Sequence, residues 1–548
     1  MLREFSPRTR TESLAAIDKN EPFDILIIGG GITGAGAARD AALRGYNVAL
    51  VEKRDFASGA SSKSTKLVHG GLRYLENYEF ALVFEALQER RVLLEQASHC
   101  VRPQPLVFPV YKGGKYGFPK MMAGMWAYDV LSLFRNIARH RMIRGADKVE
   151  QQFPGIRDSQ LVGAARYYDA NTHDARLTLA NAQQAHDAGA ELFTYMTVLD
   201  FLRDGQGRLV GVRVRDELSG EEHDIHARVV VNCTGPWTDQ VIQMADPSQP
   251  PRMVPSKGVH LVFAKERLPM NGEAALYVEA PQDNRPVFII PWENVTIIGT
   301  TDTFYDGSLD DIPVTEEDVE YLLEVANHAF PDAQLTKDDV QSSWAGLRPL
   351  VKDPSAKDEG STSREHEIWE APEGLVNIAG GKLTTYRVMA KEVIDQAAEK
   401  LQQRYGIAKK EAAETEDIPL PGAEYPLPEE NRSTLPDDVW EHLVKYYGIY
   451  AQDVAGRAQE DPALAERIVE GLPYIWAELP HAIEYEMCLT ADDFLARRTW
   501  LIYEAPKRGA EVLDEVISRM GDMLDWDDER REAERQRYQH ELDLVVGS

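Results

Sequence analysis

The sequence predicts an α/β fold with a parallel-sheet domain, a second domain built on an antiparallel sheet, and an α-helical domain at the C-terminal end. Three observations carry this. Residues 24–52 read as strand, tight turn, helix and strand. Strand-like apolar runs then alternate with helix-length periodic segments through the middle of the chain. A proline-rich stretch at 414–436 precedes a region that reads as helical to its end.

Each element has its own reason. Ile25-Leu26-Ile27-Ile28 is a continuous apolar run, the pattern of a strand buried on both faces. Gly29-Gly30-Gly31 breaks it and opens a helix that carries Ala35, Ala37, Ala38, Ala41 and Ala42. Gly45 ends that helix, and Val48–Val51 form the next strand. Further strands are expected at 209–214, 227–232, 258–263, 286–290 and 295–299, with helices at 174–188 and 316–329. Pro419, Pro421, Pro426, Pro428 and Pro436 mark a linker over 416–436. It divides a region at 22–415, in which two subdomains interleave, from a helical domain at 437–548. At 548 residues the chain is too long for one compact core.

Composition excludes several classes. Hydrophobic residues make up 43%, near the globular average, so disorder is not expected. Sixty Lys and Arg against 90 Asp and Glu give a net charge of −30, which repels nucleic acid. Cys100, Cys233 and Cys488 are spaced too widely for a metal pattern or a disulfide framework, so no metal is expected and a reducing cytoplasm is the expected compartment. The first residues contain Glu4, Glu12 and Asp18 and no apolar core, so no signal peptide is expected. No run approaches the ~18 uncharged apolar residues of a membrane-spanning helix.

Gly29-x-Gly31-x-x-Gly34 sits between strand and helix, as a Rossmann-type dinucleotide fingerprint requires. The first glycine permits the tight turn, the second lets the backbone approach a pyrophosphate, and the third lets helix and strand pack closely. The helix N-terminus offers unpaired N–H groups to the pyrophosphate. Glu52 closes the second strand, where a carboxylate accepts bonds from ribose hydroxyls and disfavours a 2′-phosphate.

Motifs downstream of the fingerprint indicate FAD rather than NAD. Residues 58–64 (Ser-Gly-Ala-Ser-Ser-Lys-Ser, with Ser61 and Ser62 at its centre) and His69-Gly70-Gly71 supply small and hydroxyl groups that suit a backbone lying along a flavin and its diphosphate. Val229-Val230-Val231-Asn232-Cys233-Thr234-Gly235 is an apolar strand ending in a turn, and resembles the second nucleotide-contact motif of flavoproteins. Gly380-Gly381-Lys382-Leu383-Thr384 is a second glycine pair opening a helix, whose N-terminus would stabilise negative charge on a reduced flavin.

With these motifs, the sequence resembles the FAD-dependent glycerol-3-phosphate dehydrogenases, within the D-amino-acid-oxidase-like flavoproteins. The resemblance covers about residues 22–540. Beyond the glycine fingerprint it rests on Lys66-Leu67-Val68-His69-Gly70-Gly71-Leu72-Arg73-Tyr74-Leu75, Asp174-Ala175-Arg176-Leu177, Ile298-Gly299-Thr300-Thr301-Asp302, Gly346-Leu347-Arg348-Pro349-Leu350, Gly380-Gly381-Lys382-Leu383-Thr384-Thr385-Tyr386-Arg387 and Arg497-Arg498-Thr499. It implies FAD as cofactor and a Rossmann-type FAD-binding domain, an antiparallel-sheet substrate domain and the C-terminal helical domain.

The resemblance also implies a site. Arg73, Arg348, Arg364 and Lys382 match positions that line the substrate pocket, where a phosphate needs fixed cations. His260 matches the candidate base for the hydroxyl proton, with a core histidine as the plain alternative. Tyr74 would orient substrate, or simply pack. His69 would lie beside the flavin, and His173 receives no catalytic role. The implied catalytic set is His260, Arg348 and Lys382. The implied reaction takes sn-glycerol 3-phosphate to dihydroxyacetone phosphate and hands the electrons to a membrane quinone. Two rivals stay open: an oxidase that uses oxygen, and a flavin-binding regulatory protein without turnover. The oligomeric state is open, a homodimer being one candidate.

A quinone partner places the protein peripherally on the inner face of the cytoplasmic membrane. Residues 106–144 fit such a dock. Against the overall charge they hold Lys112, Lys115, Lys120, Arg135, Arg139, Arg141 and Arg144 with the single acid Asp129, interleaved with Met121, Met122, Met125, Trp126 and Phe134. A core-facing helix with a solvated basic face is the alternative.

Overall fold

The structure, a computed structural model, describes residues 3–545 except 18–20, 76–77, 134–136, 269, 353–364, 372–373 and 425–434. Its first sheet has eight strands. Val376–Gly380, Glu222–Asn232, Phe23–Ile28, Val48–Val51 and Glu191–Phe193 run parallel in that order, with His366–Glu370 antiparallel at one edge. The apolar run at 25–28 is fully covered because both sheet faces are packed. On one face lie the helices Ile32–Leu43, Asp174–Asp187 and Tyr386–Tyr405; the alanines of the first of these are buried and let the three approach closely. On the other face the antiparallel strands Met196–Arg203 and Leu209–Asp216 extend from Glu222–Asn232.

The second sheet has ten strands and is mostly antiparallel. Ser256–Ala264 lies between Val295–Gly299 and Val340–Arg348. Helix Glu316–Ala329 packs under it and begins with a reciprocal Thr315/Asp318 cap, which satisfies backbone N–H groups that a helix start otherwise leaves open. The opposite face packs against the C-terminal helices through Trp292, Trp344, Trp500 and Tyr503.

The expected strand at 295–299 and helix at 316–329 have those bounds. Two long paired strands, Val101–Tyr111 and Leu161–Thr172, were not expected. They correct the reading of 106–144 as one surface segment: residues 106–110 are a buried strand, and only the rest of the segment reaches the surface. Pro103, Pro105 and Pro109 disguised it. At alternate positions they withhold an N–H from the same side of the strand, where the next strand, Ala275–Glu279, pairs only at Leu106 and Val107.

Of the expected linker, residues 425–434 lie outside the described residues. The helical domain is tied to the first domain by buried charge. Asp55, fully buried just past the Val48–Val51 strand, accepts from Arg497 Nε at 2.6 Å and from Arg498 Nη1 at 2.6 Å. Arg176 on the Asp174–Asp187 helix pairs with Glu486 at 2.6 Å, also buried.

Candidate active site

The glycine turn is built as its residue types demand. Gly29 has φ +109°, and a Cβ there would come within 2.7 Å of the Cys233 carbonyl oxygen. A Cβ on Gly31 would press on Ser61 Oγ at 3.0 Å, and one on Gly34 would overlap the Gly29 carbonyl. Glu52 accepts from the Gly30 N–H at 2.6 Å and the Arg54 N–H at 2.9 Å. Burial raises the Glu52 pKa, and those two N–H groups pull it back. Ser61 Oγ accepts from the Ile32 N–H at 2.8 Å, at the start of the helix.

The turn opens onto a cavity of about 970 Å³ that runs between the two sheets. The sequence-identified residues Gly29, Gly31, Glu52, Ser61, His69, Tyr74, Thr234, Gly235, His260, Arg348, Gly380, Gly381, Lys382, Leu383 and Thr384 all line it. Others do not. Gly34 serves the helix–strand contact instead. Ser62 is buried beneath, with its carbonyl accepting from Lys66 Nζ at 2.7 Å. Gly70 donates to Tyr128 Oη at 3.0 Å, and Gly71, at φ +75°, leaves room for the Tyr74 ring. Arg73 lies in the short turn Leu72–Leu75, with its side chain outside the described residues; Arg364 lies wholly outside them.

His260 sits mid-strand, 2% exposed, with Nε2 2.9 Å from Thr65 Oγ1 and the ring stacked on Trp344 at 4.8 Å between centroids. Burial, then the charges of Arg348 and Lys66, hold its pKa well below the ordinary imidazole range, so it is neutral at pH 7. Gly299 has no side chain because the His260 ring occupies that space. One residue on, Thr300 Oγ1 accepts from Arg348 Nη2 at 3.2 Å, while Arg348 Nη1 donates to Asp302 Oδ1 at 3.0 Å. The base candidate and the guanidinium are thus neighbours across one bend of chain. Lys382 Nζ stands 3.7 Å above the centroid of the Tyr74 ring. Gly380 and Gly381 have φ of +82° and +76°, and the turn Leu383–Thr385 leads from them into the helix Tyr386–Tyr405. The glycine pair therefore opens a short turn first, with the long helix behind it.

Sequence reasoning missed three cavity residues. Thr65 holds His260, Trp344 stacks on it, and Lys63 Nζ donates to Tyr503 Oη at 2.9 Å. Lys63 stood in the hydroxyl-rich run already singled out; Thr65 comes directly after that run. Beneath them Lys66 is buried against Asp174 at 2.6 Å.

Comparison with known proteins decides the family. Residues 24–396 match the family model of FAD dependent oxidoreductases, and residues 413–531 that of the C-terminal domain of alpha-glycerophosphate oxidase. An aerobic glycerol-3-phosphate dehydrogenase from Staphylococcus haemolyticus is 35% identical over 541 residues, covering 96% of this chain and 95% of that one. A glycerol-3-phosphate dehydrogenase from Synechocystis is 37% identical over 545 residues, covering 95% and 96%. The chain belongs to the FAD-dependent glycerol-3-phosphate dehydrogenase family. Its fold superposes on the glycerol-3-phosphate dehydrogenase from Bacillus halodurans, solved with FAD, at a TM-score of 0.82 and 33% identity, over 99% of this chain and 98% of that one. An L-alpha-glycerophosphate oxidase from Mycoplasma pneumoniae shares the fold at a TM-score of 0.57 and 15% identity, over 73% of this chain and all of that one.

The protein is an FAD-dependent oxidoreductase, and the residues present fit the cofactor. The glycine cradle would be filled by any Cβ, the helix N-terminus faces the cavity, and the volume lies at the upper end of the roughly 300–1,000 Å³ range of ligand pockets.

Proposed function

We propose that the chain oxidises sn-glycerol 3-phosphate to dihydroxyacetone phosphate with FAD as the immediate oxidant. The observation that carries the reading is the placement of neutral His260 and the Arg348 guanidinium side by side in the cavity that the glycine turn opens. FAD supplies the hydride acceptor, at N5 of its ring. Gly29, Gly31 and the helix N-terminus would hold the pyrophosphate, Glu52 the ribose hydroxyls, and the turn at 380–384 the flavin ring.

The protein's own groups do the rest. Arg348 is held by Asp302, Thr300 and the Thr301 carbonyl at the cavity wall, and would exchange some of these partners for phosphate oxygens. Lys382 adds positive charge, and Tyr74 beneath it orients the substrate. Thr65 holds His260 through Nε2, while Nδ1 is buried without a hydrogen-bond partner among the described residues; the neutral imidazole is the group that would accept the C2 hydroxyl proton. A secondary alcohol thus loses its proton to a fixed base while its phosphate is clamped, so that C2–H is held for transfer.

The names of the relatives favour a dehydrogenase, whose acceptor we propose is a membrane quinone. Among the described residues no helix is long and apolar enough to cross a membrane; in this reading the quinone is reached from the membrane surface, on the cytoplasmic side. The test is anaerobic bleaching of the flavin by glycerol 3-phosphate, then reoxidation by a soluble quinone or by air. Bleaching by the phosphate ester and not by glycerol, with faster reoxidation by quinone, is expected. Equal bleaching by glycerol overturns the substrate; air as fast as quinone makes the chain an oxidase.

A further inference from the structure

The last helix, Asp528–Val545, runs beyond residue 531, where the match to the C-terminal family model stops. Its final turns reach the cavity, where Arg537, His540, Glu541, Leu544 and Val545 form part of the wall. Two contacts join these turns to opposite sides of the opening. Arg54, two residues past Glu52, donates from Nη1 to Glu541 Oε1 at 3.3 Å on the side of the parallel sheet. His540 Nε2 lies 2.9 Å from Asp311 Oδ1 in a loop of the antiparallel-sheet domain. The neighbouring Asp310 accepts from Trp237 Nε1 at 3.1 Å and pairs with Lys53. The helix thereby completes a ring of polar contacts that starts and ends beside Glu52.

The helix is well anchored from behind. Tyr538, Leu542 and Val545 are buried in the core of the helical domain, and Tyr538 Oη donates to the Arg508 carbonyl at 2.6 Å. The Arg537 guanidinium sits 5.4 Å from the centroid of the Tyr195 ring. Facing the cavity, Leu544 is apolar, as are Met196 and Val198 in the same cavity. Apolar walls with a polar rim suit a flat heteroaromatic ring.

We propose that the final turns of this helix are a clasp over the adenosine half of FAD, and that the Arg54–Glu541 contact sets how slowly the cofactor leaves. The inference rests on the proposed function, in which Glu52 meets the adenosine ribose. Lys53, Arg54 and the clasp line the cavity next to Glu52, which places them beside the adenine in that reading. Arg54, 38% exposed at its side chain, and Glu541, 16% exposed, are accessible enough to part and re-form, so the contact is a gate rather than a fixed core pair.

The experiment measures release of FAD from the purified holoenzyme by the fluorescence of free flavin, for the wild type, Arg54→Glu, Glu541→Arg and the double exchange. Each single reversal replaces an attraction with a repulsion, and release should quicken roughly three- to tenfold at low salt. The double exchange should return to within about twofold of wild type, which lost packing would not do. Glu541→Gln guards against a reversal that disturbs the helix, and should quicken release about threefold. Singles that release FAD at the wild-type rate overturn the clasp, as does a double exchange as fast as the singles. A wild-type chain that carries no FAD overturns the placement of the cofactor as well.

Discussion

At the scale of single residues, His260 makes a two-sided prediction. His260→Ala should slow flavin reduction by roughly 100-fold or more while changing substrate binding less, because general-base catalysis acts on the step and not on affinity. Since burial holds the imidazole well below its ordinary pKa, the wild-type reduction rate should stay level as pH falls through the ordinary histidine range, and drop only at more acidic pH. Rapid-mixing measurement of flavin bleaching across pH checks both, and an alanine variant that reduces at the wild-type rate returns His260 to the core. The sequence made His260 and Arg348 legible as types on motifs. It could not show that they are neighbours. Their juxtaposition comes from strand register, which sets His260 opposite Gly299 and Trp344, and from the Gly299–Thr300 bend that reaches Arg348. Thr65 escaped because a lone hydroxyl carries no signal until the ring that it holds is in place.

At the scale of elements, periodicity served wherever both faces of an element had one job. The strand Val48–Val51 is apolar throughout, the Glu316–Ala329 helix has one buried stripe, and both have the expected bounds, whereas Phe23–Ile28 and Glu222–Asn232 begin before the apolar runs that signalled them. It failed at Val101–Tyr111, where three prolines interrupt the strand signal. The adjoining helix Phe118–Leu131 supports the membrane reading in a modified form. Met121, Met125 and Tyr128 face the core, while Met122, Trp126 and Val130 are exposed, at 44%, 50% and 52%. Phe80 and Phe84 are exposed on the neighbouring helix Phe80–Gln96, and Lys120, Arg139, Arg141 and Arg144 are exposed nearby, whereas Asp129 is buried against His140. Aromatic and aliphatic side chains flanked by cations are what a lipid interface takes up. We therefore expect the protein to float with anionic liposomes, less so in high salt. Trp126→Glu combined with Val130→Glu should stay in solution and keep its FAD. Equal flotation of that variant would show that another surface binds lipid.

At the scale of the whole molecule, the domains meet through polar groups as well as through tryptophans. Glu504 is buried at that junction, accepting from Asn294 Nδ2 at 3.1 Å on the antiparallel-sheet side and from Tyr474 Oη at 3.1 Å in the helical domain. Burial, then the nearby Glu293, raises its pKa from 4.5 to about 8. Proton uptake sets the sign. Between those two values the folded chain binds the proton more tightly than the unfolded chain, so this group's contribution to stability declines as pH rises through that interval and is level above it. Glu504→Gln removes the dependence. The variant should melt close to wild type near the acidic end and above it at the alkaline end, by up to several kcal/mol given roughly 1.4 kcal/mol per pH unit. Thermal melts at both ends check this, and a difference that does not grow with pH would sink it. The layered architecture was legible because strand and helix signals come in blocks. The junction was not, since a buried carboxylate and an exposed one are the same letter in a sequence.

Asp55 binds the life history of the chain to its architecture. It is made early, just after the second nucleotide strand, and its partner Arg498 lies 443 residues later. At ribosomal rates of about 5–20 residues per second, the nascent chain carries that carboxylate for on the order of half a minute or more before its guanidinium exists. An ion that is buried without its partner is costly, so the final burial of Asp55 waits for the guanidinium groups that pair with it. The setting of Asp55 in the folded protein is therefore completed only by residues made near the end of synthesis.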